Sequence, residues 1–367
     1  SLPAATNGEP DPDLPAPISL KGARVHNLQG ANLELEFGRM TGICGPSGSG
    51  KSSLVLDTLL PALQGEAPDG RWKSCAFPED LRVVVVDATP IGRTPHSVPA
   101  TYTGLLGPLR ELFARTPVAR QAGMGPAHFS FNSTRGRCPA CDGRGARLVE
   151  MQFLADLWLT CDECDGSRYK PEVLEVKHRG LSMAEVLALS VDEAAEYLAH
   201  QPKCLQILQT LQEVGLGYLG LGQPSTTLSG GEAQRVKLAS ELARLKHAAR
   251  VSTPSIIVLD EPTTGLSASD CTRLHSALRA LADRGHAVVL IEHHTDLLSS
   301  CDGLIELGPE GGDGGGRVIA RGTPAELQAN KRSLTAPFLG CQGKPLVSPA
   351  LTPKAKRRAK HVSGGVQ

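Results

Sequence analysis

The stretch Gly45-Pro46-Ser47-Gly48-Ser49-Gly50-Lys51-Ser52 decides the fold of this chain. It fits the pattern G-x-x-x-x-G-K-[ST] and follows an apolar, strand-like run that ends at Ile43-Cys44. Glycines let consecutive backbone N–H groups of such a loop turn toward phosphate, and the positive end of the following helix adds to the attraction. The sequence therefore predicts a strand, a phosphate-binding loop and a helix over Lys51–Leu60.

The loop also predicts how each part of a nucleotide is held. Lys51 is expected to neutralise the β- and γ-phosphates, and the Ser52 hydroxyl to bind Mg²⁺. We assign ATP binding to the following residues of the loop: Gly45, Pro46, Ser47, Gly48, Ser49, Gly50, Lys51, Ser52 and Ser53.

Bulk composition narrows the class of protein. The chain has 367 residues and a formal net charge of zero, with 38 basic and 38 acidic side chains, so nucleic-acid binding would have to depend on local patches. It contains no run of 18 apolar residues and no apolar segment preceded by basic residues near its start. We therefore expect a cytoplasmic protein without a membrane partner, and the initial Ser1 suggests a processed product or a fragment.

Composition shifts along the chain suggest five segments. We predict a disordered leader over 1–17, a first part of an ATPase core over 18–103, an inserted domain over 104–222, a second part of the core over 223–342 and a disordered basic tail over 343–367. The continuous run of valines within 81–87 predicts a strand covered on both faces. In the inserted domain, helices are predicted over Met183–Leu189 and Val191–Gly215.

Two apolar runs late in the sequence predict a parallel sheet. Ser255–Asp260 and Ala287–Ile291 flank the helix-like stretch Ala268–Arg284, which is the pattern of a βαβ unit. The first run ends in Asp260-Glu261. At a strand end, Asp260 can hold Mg²⁺ through water, and Glu261 is placed to orient or activate the attacking water.

A second motif complements the phosphate loop. Leu228-Ser229-Gly230-Gly231-Glu232-Ala233-Gln234 opens a helix-like stretch and resembles the signature motif of ABC-type ATPases. In that family the two motifs of one site lie on different ATPase units, so Ser229, Gly230 and Gly231 would bind the γ-phosphate of another unit. Ser229 and Glu232 also fit a capping box, and both interpretations can hold. The resemblance further implies that His293, which follows the strand-like run Ala287–Ile291, contacts the γ-phosphate. The neighbouring His294 would point the other way off an extended backbone.

Four cysteines predict a metal site. Cys138, Cys141, Cys161 and Cys164 have the spacing C-x₂-C-x₁₉-C-x₂-C, which is typical of structural zinc, with redox cysteines or a disulfide pair as the alternative. Cations surround these pairs, and they predict a nucleic-acid-binding surface or else a solvated basic face. The nearby basic and aromatic residues are Arg135, Arg137, Arg144, Arg147, Arg168, Tyr169 and Lys170.

Further motifs resemble the UvrA family of excinuclease components over about residues 18–340. The motifs are Val86-Asp87, Pro90–Pro95, Pro99–Gly104, Phe129–Asn132, Gly136–Cys138, Val214–Tyr218, Leu221–Pro224, Asp260–Leu266 and Leu307–Gly312. The resemblance is to the C-terminal ATPase half or to a truncated or divergent member. It implies an α/β ABC-type P-loop ATPase domain with an inserted, mostly helical, zinc-binding signature domain.

The same resemblance implies a function. It suggests an ATPase without nuclease activity of its own that recognises DNA damage in nucleotide excision repair, with ATP, Mg²⁺ and Zn²⁺ as cofactors. The expected partners are distorted duplex DNA and a second ATPase unit, either a second copy or another half. The resemblance makes UvrB a partner only through a missing N-terminal half.

Three positions depart from the family pattern. Ala88 stands where Gln is usual, 267–269 replaces a His-containing stretch, and His294 stands where Asn is usual. They leave open a divergent paralogue linked to drug resistance, or a DNA-binding module that binds but barely hydrolyses ATP. A transporter-type ATPase is a further alternative, against which the cysteine module argues. The basic run 354–360 predicts added, salt-sensitive DNA affinity.

Overall fold

The computed structural model describes residues 14–92, 94–149, 157–247 and 253–340. Most of the predicted leader and the whole of the predicted basic tail, including 354–360, lie outside the described residues. The predicted helix over Lys51–Leu60 forms as α1 (Lys51–Leu54), a π-helical turn at Val55–Leu59 and α2 (Leu60–Leu63).

The strands are β1 (Ile18–Ala23), β2 (Ala31–Leu35), β3 (Met40–Cys44), β4 (Ser74–Ala76), β5 (Arg82–Val86), β6 (Ala146–Val149), β7 (Leu157–Thr160), β8 (Ser255–Asp260), β9 (Ala287–Ile291), β10 (Gly303–Gly308) and β11 (Arg317–Gly322). The helices are α1 (Lys51–Leu54), α2 (Leu60–Leu63), α3 (Pro99–Tyr102), α4 (Leu106–Ala114), α5 (Pro117–Gln121), α6 (Pro171–Leu174), α7 (Met183–Ala188), α8 (Val191–Tyr197), α9 (Pro202–Glu213), α10 (Gly230–His247), α11 (Ala268–Ala282), α12 (Thr295–Ser299) and α13 (Pro324–Ala329).

A six-stranded sheet with the order β11-β10-β3-β9-β8-β5 organises these elements. All neighbouring pairs from β10 to β5 are parallel, and β11 adds an antiparallel edge. Strands β8 and β9 pair from Ile256↔Ala287 to Asp260↔Ile291, with α11 between them in sequence, so the predicted βαβ unit is confirmed. Because the strands are parallel, the residues that follow β3, β8 and β9 all lie at one edge of the sheet.

The prediction that the valine strand is covered on both faces is wrong. Strand β5 is the other edge of the large sheet, and the side chain of Val85 is 36% exposed, whereas Val84 and Val86 are buried. A run of β-branched residues gives high strand propensity, but the run alone does not determine how many sides of the strand are packed.

The predicted helix over Val191–Gly215 is also divided. Helix α8 ends at Tyr197 and α9 begins at Pro202, with a turn between them. Proline has no backbone N–H and fixes its φ angle, so it suits the first position of a new helix and not the interior of a continuing one. The sequence contained this signal at Pro202.

Two apolar clusters cover the two faces of the large sheet. Ile257 and Leu259 of β8 belong to the first cluster, and Ile256 and Val258 belong to the second. The first cluster is completed by the helices of 104–222 together with α10 and α11. The second is completed by α1, α2 and a small antiparallel sheet of order β2-β1-β4. The described chain is therefore an α/β fold with helices concentrated on one side.

Candidate ATP site and cysteine centre

The phosphate loop connects β3 to α1 and is shaped by close backbone packing. Gly45 has a φ of 130°, and a Cβ on it would lie 2.1 Å from the carbonyl oxygen of Leu307, so only glycine fits there. Lys51 Nζ donates hydrogen bonds to the carbonyl oxygens of Gly45 (2.9 Å) and Pro46 (3.0 Å). Because α1 begins at Lys51, the N–H groups of its first turn have no partner inside the helix. These N–H groups are placed to donate hydrogen bonds to the oxygen atoms of a polyphosphate.

A side chain that sequence reasoning missed holds the loop from outside. Asn27 Nδ2 donates to the carbonyl oxygens of Gly48 (2.9 Å) and Gly312 (2.9 Å). It therefore joins the turn after β1, the phosphate loop and the segment after β10. The three segments are far apart in the sequence, so no local pattern could have revealed this contact.

Lys51 and Asp260 lie close enough to each other and to Glu261 for charge to affect the pKa of both. Burial lowers the pKa of Lys51, and the charges of Glu261 and Asp260 oppose that change. Burial raises the pKa of Asp260, the charge of Glu261 adds to the rise, and Lys51 opposes it. Asp260 ends β8, and its carboxylate and the Ser52 hydroxyl are hard oxygen ligands of the kind that Mg²⁺ prefers. The residues at this edge fit Mg²⁺ with ATP.

His293 lies beside the carboxylates. Its Nδ1 is 3.9 Å from Glu261 Oε1 and 3.7 Å from Glu292 Oε2, and its side chain is 66% exposed. Glu261 has a φ of 47°, a conformation that is uncommon for residues other than glycine. His294 is half-buried, and its Nδ1 has no hydrogen-bond partner among the described residues.

The signature turn begins α10 with the predicted capping box. Ser229 N–H donates to Glu232 Oε2 (2.8 Å), and Glu232 N–H donates to Ser229 Oγ (3.2 Å). The turn packs beside Ala88 and Thr264, since a Cβ on Gly230 would lie 3.3 Å from the Ala88 Cβ and one on Gly231 would lie 3.1 Å from the Thr264 oxygen. The N–H groups of this turn and the Ser229 hydroxyl are hydrogen-bond donors at a helix N-terminus, which is the chemistry that binds an anion.

Two further residues of α10 tie the signature helix to the large sheet. Buried Gln234 donates from Nε2 to the carbonyl oxygens of Val86 (3.1 Å) and Asp260 (2.6 Å). Lys237 Nζ lies 2.5 Å from Asp87 Oδ1 and donates to Thr89 Oγ1 as well. Although burial raises the pKa of Asp87, hydrogen bonds from Lys237 and Thr89 lower it overall. Sequence reasoning assigned no role to either residue, although Gln234 lies in the signature motif.

The four predicted cysteines form one cluster. Cys138, Cys141, Cys161 and Cys164 are buried, and their sulfur atoms all lie within 4.8 Å of one another. The Sγ atoms of Cys141 and Cys164 are 3.7 Å apart. Tetrahedral zinc with Zn–S bonds of about 2.3 Å requires sulfur atoms about 3.8 Å apart, so the cluster fits zinc. The Gly145 N–H donates to Cys141 Sγ (3.3 Å), and a donor of this kind orients a thiolate toward a metal.

Comparison with known proteins extends across both the ATP site and the cysteine cluster. The chain is 49% identical over 328 residues to UvrABC system protein A of Thermus thermophilus and 48% identical over 330 residues to that of Pseudomonas aeruginosa. Each match covers 88% of this chain. This chain is a homologue of UvrABC system protein A. No protein-family model matches it.

This UvrA homologue spans about one third of the curated relatives it matches, since 34% of each relative is covered. It is also similar to the crystal structure of UvrA2 from Deinococcus radiodurans, with a TM-score of 0.81 and 45% sequence identity. That match covers 90% of this chain and 40% of the solved one. The fold predicted from the family resemblance is therefore confirmed.

Around the cysteine cluster, some of the basic and aromatic residues named above are buried and others are exposed. Arg168 is buried, donates to the carbonyl oxygens of Pro95 (3.3 Å) and Gly222 (3.0 Å) and lies over the ring of Phe131. Tyr169 is buried as well, and its hydroxyl donates to the carbonyl oxygen of Phe129 (3.2 Å). These two are packing residues, and counting them toward a basic surface was wrong. In contrast, three of the arginines are exposed, namely Arg135, Arg144 and Arg147.

The remaining cysteines are single in the described part of the UvrA homologue. Cys44, Cys204, Cys271 and Cys301 are buried and Cys75 is half-buried, while Cys341 lies outside the described residues. Within the described ranges, no helix is both long and apolar enough to cross a bilayer.

Proposed function

We propose that this chain binds and hydrolyses ATP and uses that cycle, together with a second ATPase unit, to recognise distorted duplex DNA in nucleotide excision repair. The observation that carries the proposal is the arrangement of Lys51, Asp260, Glu261 and His293 at one sheet edge. It occurs in a chain that is 49% identical to UvrABC system protein A over 328 residues.

In the proposed cycle each residue has a distinct task. Lys51 neutralises the β- and γ-phosphates, Ser52 and Asp260 would hold Mg²⁺, and Glu261 orients the attacking water. His293, whose exposed imidazole lies 3.9 Å from Glu261 Oε1, contacts the γ-phosphate. Bound Mg²⁺ would neutralise charge that develops on the phosphates. The signature turn, through Ser229, Gly230 and Gly231, completes the ATP site of a second unit. Hydrolysis is therefore coupled to closure of the two units.

The cysteine centre supplies the proposed link to DNA. Zinc held by the four thiolates would fix the backbone segments that carry exposed Arg135, Arg144 and Arg147. Cations that contact phosphates release counterions, so binding of this kind weakens as salt rises. The proposed partner is duplex DNA, with base stacking disturbed at the lesion.

A binding measurement tests the DNA part of the proposal. We expect tighter binding to a lesion-bearing duplex than to the same duplex without the lesion, with ATP changing the ratio between the two affinities. We also expect a linear fall of log affinity with log salt. Fluorescence anisotropy with and without ATP checks this, and the Arg144→Ala/Arg147→Ala variant should show a shallower salt slope. Equal affinity for both duplexes under every nucleotide condition would contradict damage recognition.

Ala88 favours one variation on this proposal, in which ATP is bound but turned over slowly. Its side chain cannot bind Mg²⁺ or water, and it lies exposed beside the signature turn. Ala88→Gln should therefore raise the ATP turnover number on the order of 10-fold, as expected for a residue acting on metal-bound water. A steady-state phosphate-release assay measures it. Ala88→Leu is the control of similar size without an amide, and an equal rise in both variants would contradict the amide's role.

A further inference from the structure

Glu292 is a fully buried carboxylate with two loops bound to it. It directly follows β9, and none of its side chain is exposed. Its Oε1 accepts hydrogen bonds from the Thr263 N–H (3.1 Å) and from the Thr263 hydroxyl. Its Oε2 accepts from the N–H groups of His293 (2.7 Å) and His294 (3.1 Å). Each oxygen atom therefore holds a different loop.

The two loops carry the two groups proposed to act on the γ-phosphate and its attacking water. Thr263 lies two residues after Glu261, and His293 is the residue after Glu292. His293 Nδ1 lies 3.7 Å from Glu292 Oε2 and 3.9 Å from Glu261 Oε1. The Glu292 carboxylate thus stands where it can set the spacing between the Glu261 carboxylate and the His293 imidazole.

The local backbone adds to this constraint. The Glu261 N–H donates to the carbonyl oxygen of Ile291 (2.9 Å), and Glu261 itself has a φ of 47°. A non-glycine residue in this region persists only when its surroundings hold it there, and such residues cluster at functional sites. The side chain of Glu292 and the carbonyl oxygen next to it both hold the loop that contains this conformation.

Packing alone does not account for a carboxylate at this position. Burying a carboxylate is costly unless hydrogen bonds compensate it, and an apolar side chain of the same volume would carry no such cost. The four hydrogen bonds that compensate Glu292 come from the loops of Glu261 and His293. The carboxylate is therefore matched to these two loops.

We propose that Glu292 is a positioning residue that fixes the distance between Glu261 and His293 during ATP hydrolysis. The assignment rests on the proposed ATPase function and deepens it, because it gives a role at the same site to a fully buried residue that acts through the two loops bound to it. Glutamine at this position keeps the size of the side chain but replaces one accepting oxygen with an NH₂ group, so one loop loses its anchor.

Steady-state ATP hydrolysis by the full chain tests this. Glu292→Gln should lower kcat on the order of 10²-fold, the effect expected when catalytic groups are misplaced by about 1 Å, while the Kd for ATP changes little. In a His293→Ala background, Glu292→Gln should lower kcat far less, because the pair that Glu292 aligns, Glu261 and His293, is already incomplete. A purely structural role would give the same loss in both backgrounds, and that result would overturn the assignment, as would an unchanged kcat.

A second pair of variants keeps the test decisive if Glu292→Gln does not fold. Thr263→Val removes the hydroxyl that binds Glu292 Oε1 and keeps the N–H, so kcat should fall with the Kd for ATP retained. Thr263→Ser restores the hydroxyl and should recover most of the lost rate. No difference between Val and Ser would overturn the assignment. Absence of ATP turnover in the unsubstituted chain with its second unit would instead overturn the proposed function, and with it this role.

Discussion

Lys51→Ala should abolish ATP turnover, with a loss of at least ~10²-fold in the turnover number. The Lys51 ammonium is held at the mouth of the phosphate loop by the carbonyl oxygens of Gly45 and Pro46, and it lies within the field of Glu261 and Asp260. Alanine removes the cation that would neutralise the β- and γ-phosphates and leaves the two carboxylates without it. A phosphate-release assay measures the rate, and calorimetric titration with ATP and Mg²⁺ measures the accompanying loss of binding.

Lys331→Ala is the matched control, because Lys331 is exposed and lies between α13 and the end of the described chain. It should leave turnover unchanged, and both variants should unfold at nearly the same temperature as the unsubstituted chain. Equal turnover in Lys51→Ala and the unsubstituted chain would contradict the assignment of the whole ATP site. If Lys51→Ala does not fold, its melting temperature will be lower than that of the unsubstituted chain. In that case ATP binding by Lys51→Arg, which keeps the positive charge, distinguishes loss of the charge from loss of the fold.

Cys161→Ser should release the zinc ion and unfold the loops around the cysteine centre. Structural zinc sites contribute about 10–16 kcal/mol of apparent binding free energy in small domains, which is comparable to the stability of a whole domain. Cys161 is buried beside Cys138, Cys141 and Cys164, and a serine hydroxyl is a poor substitute for a thiolate ligand. Zinc content by elemental analysis should fall sharply, and proteolysis should begin within 138–164.

Cys75→Ser provides the control for this experiment. Cys75 is half-buried in the small antiparallel sheet and lies outside the four-cysteine cluster, so its thiol takes no part in the proposed zinc site. This variant should retain its zinc and its resistance to proteolysis. Zinc content that is unchanged in Cys161→Ser, or lowered equally in Cys75→Ser, would contradict the four-cysteine site.

Much of the candidate site could be predicted because its motifs are local. A phosphate loop needs a strand, glycines and a helix in immediate succession, so Gly45–Ser52 reveals it without any knowledge of the rest of the chain. The cysteine pairs are similar, since C-x₂-C spacing sets both sulfur atoms of a pair on one turn. Asp260 and Glu261 could be predicted because they end an apolar strand. Each prediction needed no more than a few neighbouring residues.

The residues that sequence reasoning missed all act across long separations. Gln234 reaches the ends of β5 and β8, Lys237 reaches Asp87, and Glu292 reaches Thr263. A polar residue in an apolar stretch indicates that some partner exists, but the partner depends on which segments the fold brings together. Arg168 illustrates the opposite error, because a cation beside a cysteine motif suggests a surface position although the side chain is buried.

By itself, the sequence determined the phosphate-loop motif, the spacing of the four clustered cysteines and the parallel βαβ unit, because each follows from residue type and short-range spacing. Only the tertiary structure decided that the valine strand β5 lies at the sheet edge, that Arg168 and Tyr169 are packing residues and that Glu292 joins the loops of Glu261 and His293. The physical reason is that burial and hydrogen-bond partners are properties of the packed chain. Neighbours in space set them, and those neighbours can be far apart in sequence.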